Sequence, residues 1–229
     1  MLSGPAPGAA LPDLAGNTPL WLALLTVGVN AIVGGLRGVC DPDHHWDLVG
    51  VSAFALLMGL GGGFIRDTLI GNQPMQSLRT PWFLTVILAA TALVVGLGRS
   101  PVRTQVLLDL LDPVALGLFA VTGTAAALDH GLPVISAVFI GSCSAVGGGI
   151  LVSVLQGRPS EVLLASRPYA LLAIAGCLLY AALARHDRVL ASIAGVAIVV
   201  VAQGIVRWTA VSTRPARREP PASGAPRAR

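Results

Sequence analysis

Seven long apolar stretches constrain this chain more than any other feature of its sequence. They run over Leu20–Leu36, Leu48–Ile70, Pro81–Leu97, Val106–Leu128, Leu132–Leu155, Pro168–Ala184 and Val189–Trp208. The hydrocarbon core of a bilayer is about 30 Å thick, and a helix needs roughly 20 apolar residues to cross it. The pattern therefore predicts an all-α integral membrane protein with seven transmembrane helices.

The composition argues against a soluble protein and against a nucleic-acid partner. Only 11% of the 229 residues are charged, whereas soluble domains carry about 25% charged residues. The net charge of +4 arises mainly from arginines in the proline-rich segment 209–229, and no basic patch interleaved with aromatic residues accompanies them. We interpret that segment as a disordered basic cytoplasmic tail near membrane lipid, and residues 1–19 as an extracytoplasmic tail.

The distribution of arginines predicts the orientation in the membrane. With the N-terminus outside, eleven of the fifteen arginines lie on the cytoplasmic side. The four on the other side are Arg66, Arg79, Arg185 and Arg188. Because cytoplasmic loops carry an excess of basic residues, the sequence predicts a plasma-membrane protein with an external N-terminus and a cytoplasmic C-terminus.

Parts of the chain resemble each other. "VSAFALLMGLGGGFIRDTLIG" (51–71) aligns without gaps on "AVFIGSCSAVGGGILVSVLQG" (137–157) with an offset of 86, and "GVNAIVGG" (28–35) resembles "GLFAVTGT" (117–124). Each copy spans three helices, an odd number, so the second copy enters the membrane from the opposite side and the two form an inverted repeat. The resulting units are repeat 1, repeat 2 and a seventh helix, at residues 20–99, 106–185 and 188–208.

The alignment superimposes two triple glycines. They are Gly61, Gly62 and Gly63 in the second helix and Gly147, Gly148 and Gly149 in the fifth. Glycine costs about 1 kcal/mol per helical position relative to alanine, so we predict that both helices are kinked or unwound there. Backbone groups freed inside hydrocarbon must face protein or water, which predicts a wet cavity between the repeats. The alternative is that the glycines only let helices pack closely.

Small polar side chains on the surrounding helices are candidates for the lining of that cavity. We select Asn30, Thr122, Ser144 and Ser153. Half-helices that end at a break present carbonyl groups, which suit a cation, whereas half-helices that begin there present N–H groups, which suit an anion. The predicted cavity is therefore a candidate ion site, and these residues alone leave the sign of the ion open.

At these residues the sequence resembles the prokaryotic trimeric intracellular cation (TRIC) channel family, also described as a glycine-transporter domain family. The matching motifs are "GGGFIRDTLIG" followed by "NQP", and "AVGGG" after "ALDHGLPVISA". The resemblance covers about Leu20 to Trp208 and implies a homotrimer with one pore per subunit, between the inverted halves, that conducts potassium ions. It also implies that the six glycines are kink positions and that Arg66 and Asp67 form a charged pair beyond the first kink.

The charged residues behind the first triple glycine need partners. Arg66 and Asp67 are adjacent, so on a helix they point about 100° apart, and we expect each to bind another residue rather than form an ideal mutual pair. We hypothesise that Arg66 shapes the outer pore mouth and that Asp67 attracts cations. Val152 and Ser153 stand where relatives often repeat Arg-Asp, so the second mouth lacks that pair.

The remaining charged groups do not form a recognisable reaction centre. The loop "DPDHHWD" (41–47) holds three carboxylates and two adjacent histidines, and we interpret it as a solvated linker, with a weak divalent-cation or pH effect as the alternative. Asp109, Asp112 and Asp129 flank the fourth helix, where we expect capping or interfacial roles, and Pro113 falls near its first turn. We expect no enzyme activity, no cofactor and no metal site.

The sequence thus predicts a potassium-permeable channel, with two alternatives open. An alternating-access carrier of a small solute such as glycine would show the same inverted repeat and broken helices. A scaffold that transports nothing would use the glycines only for packing.

Overall fold

The computed structural model describes residues 19–97, 101–160 and 168–209. Within these ranges the chain forms eight helices and no strands. They are α1 (Leu20–Val39), α2 (Leu48–Ile70), α3 (Gln76–Arg79), α4 (Trp82–Leu97), α5 (Pro101–Asp129), α6 (Val134–Leu155), α7 (Tyr169–Leu183) and α8 (Arg188–Thr209). The two predicted tails lie outside the described residues, except for Pro19 and Thr209.

Each predicted apolar stretch corresponds to one long helix, so the all-helical membrane fold is confirmed. Five helices are long and apolar enough to cross a membrane by length and composition, namely α1, α2, α5, α6 and α8. Helices α4 and α7 are apolar but shorter, with 16 and 15 residues. The four-residue helix α3, between α2 and α4, was not predicted.

The largest boundary error concerns α5. This helix begins at Pro101 rather than at Val106, because Arg103 and Gln105 interrupt the apolar pattern without interrupting the helix. The earlier start puts Pro113 about three turns inside α5. The prediction that Pro113 lies near a first turn is therefore wrong.

Each repeat forms its own three-helix unit. Helix α1 packs on α2 and α4 in the first unit, and α5 packs on α6 and α7 in the second. Between the units α2 lies against α6 and α1 lies against α5. Apolar clusters fill each unit, around Leu60 and Ile87 in the first and around Phe119 and Cys177 in the second. Helix α8 lies outside both repeats and packs on α5 and α7.

The contacts between α2 and α6 are reciprocal, as a two-fold relation between the repeats requires. A Cβ added at Gly62 would lie 2.2 Å from the Ser144 carbonyl oxygen, and one added at Gly148 would lie 2.9 Å from the Met58 carbonyl oxygen. The sequence offset that relates Gly62 to Gly148 also relates Met58 to Ser144. The two helices therefore cross with backbone against backbone at equivalent glycines.

Helices α2 and α6 also end in the same way. Gly71 follows α2 with a φ of 78°, and Gly157 stands at the equivalent place after α6 with a φ of 67°. The amide of the next residue donates to Asp67 O at 2.8 Å in the first copy and to Ser153 O at 3.0 Å in the second. Glycine adopts this left-handed conformation without a Cβ clash, which explains its presence in both copies.

The triple glycines do not interrupt their helices. Helix α2 is continuous through Gly61–Gly63 and α6 through Gly147–Gly149, so neither helix is unwound there, and the kink that was the other form of the prediction is not confirmed. Packing gives the physical reason. At the first two glycines of each triplet, an added Cβ would lie under 3.0 Å from an atom of the facing helix. Close helix packing, the alternative that the sequence left open, describes these four positions.

Candidate functional site

The predicted site residues lie where α1, α2, α5 and α6 meet, between the two repeats. Arg66 lies near the end of α2 and Arg37 lies near the end of α1. These helices follow each other along the chain and cross the bundle in opposite directions, so the two arginines mark its opposite ends. The crossing of α2 and α6 lies between these ends.

Arg66 and Asp67 form a buried ion pair. Nε and Nη2 of Arg66 each lie 2.8 Å from Asp67 Oδ1. The prediction that adjacent residues would not pair is wrong, because the long arginine side chain folds back across the roughly 100° that separates them. Arg66 balances the charge of the carboxylate, so this geometry does not favour Asp67 as an attractor of cations.

We expected Arg66 and Asp67 each to bind another residue, and both of them also bind Gln76, at the start of α3. Its backbone amide donates to Asp67 Oδ2 at 2.8 Å, and its side-chain Oε1 accepts from Arg66 Nη2 at 3.2 Å. Arg79 holds the other side of the segment by donating to Asn72 Oδ1 at 2.8 Å. The buried ion pair therefore ties α3 to the end of α2.

A small cavity lies beside α3. It measures about 20 Å³, and its polar lining residues are Thr26, Arg66, Gln76, Ser77 and Thr122. Gly63 also lines the cavity, and an added Cβ there would meet nothing within 4 Å. This volume has room for about one water molecule. What the described residues show of the wet cavity predicted between the repeats is thus a small chamber at the Arg66 end.

Polar side chains join the repeats at the crossing itself. Ser144 Oγ donates to Gly62 O at 3.1 Å, which links α6 to α2. Asn30 Nδ2 donates to Thr26 O at 2.9 Å and to Ala115 O at 3.2 Å, which links α1 to α5. Asn30 Oδ1 is buried and has no hydrogen-bond partner among the described residues. Asn30 and Ser144 therefore bridge helices, and neither lines the chamber.

The other two predicted lining residues bond to their own helices. Thr122 Oγ1 donates to Leu118 O at 2.8 Å, and Ser153 Oγ donates to Gly149 O at 2.9 Å. Such bonds satisfy a hydroxyl group inside an apolar region. Thr122 lines the chamber whereas Ser153 does not.

At the Arg37 end, apolar side chains fill the space between the repeats. Val33, Ala115 and Val152 are fully buried and pack with Phe54 and Met58. In the repeat alignment Val152 occupies the position that Arg66 has in the first copy. The interface is therefore polar at the chamber and apolar at this segment. In ion channels, apolar constrictions exclude water.

An ion pair that sequence reasoning missed lies beyond the apolar side chains. Arg37 Nη2 donates to Asp112 Oδ1 at 2.7 Å. Tyr169 also donates to Asp112 Oδ1, at 3.4 Å, and Gln203 Nε2 donates to Asp112 Oδ2 at 3.3 Å. These contacts join α1, α5, α7 and α8. The available signal was a carboxylate beside a proline inside an apolar stretch, where an ionisable residue indicates a partner.

The three aspartates of α5 have the same kind of partner. Asp112 pairs with Arg37, Asp109 with Arg207 at 3.3 Å, and Asp129 with Arg188 at 2.7 Å. Each carboxylate binds an arginine of another helix, so capping, one of the two expected roles, is wrong, while the interfacial role stays a prediction. Two of these arginines lie on α8, outside the repeats.

The loop between α1 and α2 is more than a solvated linker. Asp41 has a fully buried side chain that accepts from Trp46 Nε1 at 2.7 Å and from Arg158 Nη2 at 2.6 Å. Burial disfavours the carboxylate, but the bonds from Trp46 and the Asp43 amide, with the Arg158 charge, outweigh burial and lower the pKa of Asp41 to about 2. Arg158 follows α6, so the loop fastens one repeat to the other.

The two histidines of this loop are His44 and His45. His44 is exposed and lies 3.7 Å from Asp41 through Nδ1. Among the residues the structure describes, no group of three or more potential ligands is arranged to hold a metal ion.

Comparison with known proteins places the chain among bacterial membrane proteins. The family model described as "Glycine transporter" matches residues 20–99 and 109–185. A UPF0126 membrane protein of Deinococcus radiodurans is 35% identical over 206 residues, which cover 87% of this chain and 92% of that protein. The UPF0126 inner membrane protein YadS of Escherichia coli K12 is 31% identical over 162 residues, 70% of this chain and 76% of that protein.

The fold is also similar to a solved structure. The TRIC trimeric intracellular cation channel orthologue from Rhodobacter sphaeroides aligns with a TM-score of 0.75 and 28% sequence identity. The alignment covers 83% of this chain and 97% of that one. The two chains therefore share their architecture over almost the whole of the solved structure.

Proposed function

Because this chain belongs to the prokaryotic TRIC family, whose repeat the glycine-transporter model describes, we propose that it is a cation channel of the bacterial plasma membrane. The observation that carries the proposal is the reciprocal crossing of α2 and α6, with a polar chamber on one side and buried charges at both ends. Seven transmembrane helices, including the shorter α4 and α7, complete the proposed topology. The arginine distribution supports an external N-terminus and a cytoplasmic C-terminus.

The proposed ion path runs between the two repeats of one subunit. It leads from the chamber beside Arg66, past the α2–α6 crossing, to the apolar side chains and the Arg37 end. The described conformation is closed, because backbone contact fills the crossing and Val33 and Val152 keep the next segment dry. Opening requires α2 and α6 to bend apart, and their glycines are candidate hinges because helices bend more readily at glycine than at residues with a Cβ.

The subunit count and the permeant ion are part of the same proposal. The Rhodobacter sphaeroides neighbour is a trimeric intracellular cation channel orthologue, and for this chain we propose a homotrimer with one pore in each subunit. Potassium ions are the proposed permeant species. Asn30, whose Oδ1 is buried without a described partner, offers the path a carbonyl-type oxygen of the kind that replaces hydration water around potassium.

An alternating-access carrier is the second candidate. The description of the family model, glycine transporter, and the reciprocal packing of two repeats both favour it. A carrier moves one repeat against the other around a fixed site at the midplane. The two candidates therefore differ in rate and in saturation, and both quantities can be measured.

Purified protein in liposomes distinguishes the candidates. A channel releases trapped potassium passively at rates far above carrier turnover, and glycine neither exchanges nor competes. Saturable glycine exchange with no passive potassium release would support the carrier and contradict the channel. Absence of both fluxes would support a scaffold whose glycines only pack helices.

A further inference from the structure

Helix α5 contains a proline that leaves one carbonyl group without its helical partner. Pro113 has no backbone N–H, so the carbonyl oxygen of Asp109, four residues earlier, receives no hydrogen bond within α5. Carbonyl groups within a membrane protein need a donor from elsewhere. Arg207 of α8 supplies it, because its Nη1 lies 2.5 Å from Asp109 O.

One turn earlier on α8, a second side chain reaches α5. Gln203 is almost completely buried, and its Nε2 donates to Asp112 Oδ2. Residues four apart lie on the same helix face, so Gln203 and Arg207 bind α5 together. Gln203 binds Asp112 and Arg207 binds Asp109, the two ends of the segment that precedes Pro113. The other oxygen of Asp112 accepts from Arg37, so this face of α8 reaches the Arg37–Asp112 pair at the Arg37 end.

The position of α8 allows it to act on the path without being part of it. It contacts α5 and α7 but lies outside both repeats. A small displacement of α8 therefore leaves the reciprocal α2–α6 crossing intact while it removes donors from Asp109 O and Asp112 Oδ2. These acceptors then need water, and water at this end lies next to the apolar side chains that keep the path dry.

We propose that α8 is a control helix, and that Gln203 and Arg207 are positioning residues that hold the Pro113 segment of α5 and keep the Arg37 end closed. The proposal rests on the proposed function, since a closed end matters only if the path conducts. It adds to that function a regulatory element that neither repeat contains.

A cysteine in place of Val152 reports whether water reaches the Arg37 end, and this measurement does not depend on conduction. Val152→Cys is made in a background in which Cys40, Cys143 and Cys177 are replaced by alanine, and the protein is held in lipid nanodiscs. Its labelling rate with a sulfonated, water-soluble maleimide measures how often water reaches the segment. Gln203→Leu and Arg207→Gln should each raise the rate about fivefold or more, because the first leaves the buried Asp112 carboxylate, and the second the part-buried Asp109 carbonyl, without its donor.

Matched controls separate this effect from general loosening of the helix. Arg188→Gln removes the other ion pair between α8 and α5, at the far end of α8, and should change the rate less than about twofold. Arg207→Lys keeps a donor near Asp109 O and should restore slow labelling. Equal rates for Arg188→Gln and Arg207→Gln would overturn the proposal.

Pro113→Ala gives the sharpest test, because alanine restores the missing N–H. In that background the Asp109 carbonyl bonds within α5, so Arg207→Gln should change the labelling rate much less than it does beside proline. An undiminished effect would show that Arg207 does not act through this carbonyl and would contradict the proposal. If Gln203→Leu fails to fold, which thermal melting would show, the comparison at Arg207 decides the question alone.

Single-channel recording of the same variants keeps the two proposals apart. Wild-type currents whose open probability rises with Arg207→Gln support both. Wild-type currents that Gln203→Leu and Arg207→Gln leave unchanged would reject the control helix alone. Absence of wild-type current would reject the channel, while the labelling rates would still decide whether α8 closes this end.

Discussion

At the residue scale, the six glycines of the two triplets differ in what they do. Those at 61, 62, 147 and 148 let the facing helix approach, and the closest approach is at Gly62. Gly63 faces the small chamber, and Gly149 has only Arg37 Nη1 at 4.0 Å from an added Cβ. A single sequence motif therefore combines packing positions with positions that leave space for the proposed path.

Gly62→Ala should destabilise the protein strongly. Its Cβ would lie 2.2 Å from the Ser144 carbonyl oxygen, and a backbone atom cannot move aside as a side chain can, so the cost should exceed about 1–3 kcal/mol. Gly63→Ala is the matched control, because it has open space and alanine is the better helix former by about 1 kcal/mol. Thermal melting in detergent measures both. Equal losses of stability at the two positions would contradict the packing account.

The pairing of Arg66 with Asp67 shows where residue-level prediction failed. The sequence placed two adjacent charged residues behind the first triplet, and we expected each to bind another residue, whereas they bind each other. The expectation failed because the long arginine side chain reaches back around its own helix. The Arg37–Asp112 pair was missed because its members are 75 residues apart, and only the packing of α1 on α5 joins them.

At the element scale, helix α3 is the part that a hydropathy pattern could not predict. It has only four residues and is too short to carry a periodicity. Its position is fixed by Gln76, which bonds both members of the buried ion pair. Helix α3 thereby covers the chamber at the Arg66 end. The long helices, by contrast, followed from apolar length alone, and the start of α5 was misplaced where polar residues extend a helix beyond its apolar part.

Gln76→Ala should loosen α3 and expose the chamber. The variant removes the acceptor of a bond from charged Arg66 Nη2, and such bonds contribute about 1.5–3 kcal/mol. The labelling rate of a Ser77→Cys reporter should rise about tenfold. Gln73→Ala changes an exposed glutamine of the same segment and should leave the rate unchanged. If both variants gave the same rate, the bond to Arg66 would not be what holds α3.

At the scale of the whole molecule, backbone and polar contacts join the two repeats. Backbone contact joins them at the α2–α6 crossing, Asn30 and the Arg37–Asp112 pair join α1 to α5, and Asp41 joins the connecting loops through Arg158. The repeat and its two-fold character could be predicted from the aligned glycines. The bond between Asp41 and Arg158 could not be predicted, because the sequence does not distinguish a buried aspartate in a polar loop from a solvated one.

The bonds of ionised Asp41 should make the stability of the fold depend on pH in the acid range. The pKa of Asp41 is about 2 in the folded chain, against about 3.9 for an unperturbed aspartate. A lowered pKa stabilises the fold above the unfolded value, and this contribution is lost as the pH falls through the folded value. Asp41→Asn should therefore lower the melting temperature at neutral pH, and its difference from wild type should shrink between about pH 4 and pH 2.

Asp47→Asn in the same loop is the control for that experiment. Asp47 caps α2 by accepting from the Gly50 amide at 2.8 Å, and asparagine caps a helix equally well. Its melting temperature should follow wild type from pH 7 to pH 4. A constant difference between Asp41→Asn and wild type over the whole acid range would show that the ionised carboxylate is not what joins the loops.

The central claim is that the interface between the repeats is a cation path, closed in the conformation described. A planar-bilayer recording under a gradient of potassium chloride tests it most directly. A cation path predicts discrete current steps whose reversal potential lies near the potassium equilibrium potential. A reversal potential near zero or near the chloride equilibrium potential, or no current steps at all, would contradict it.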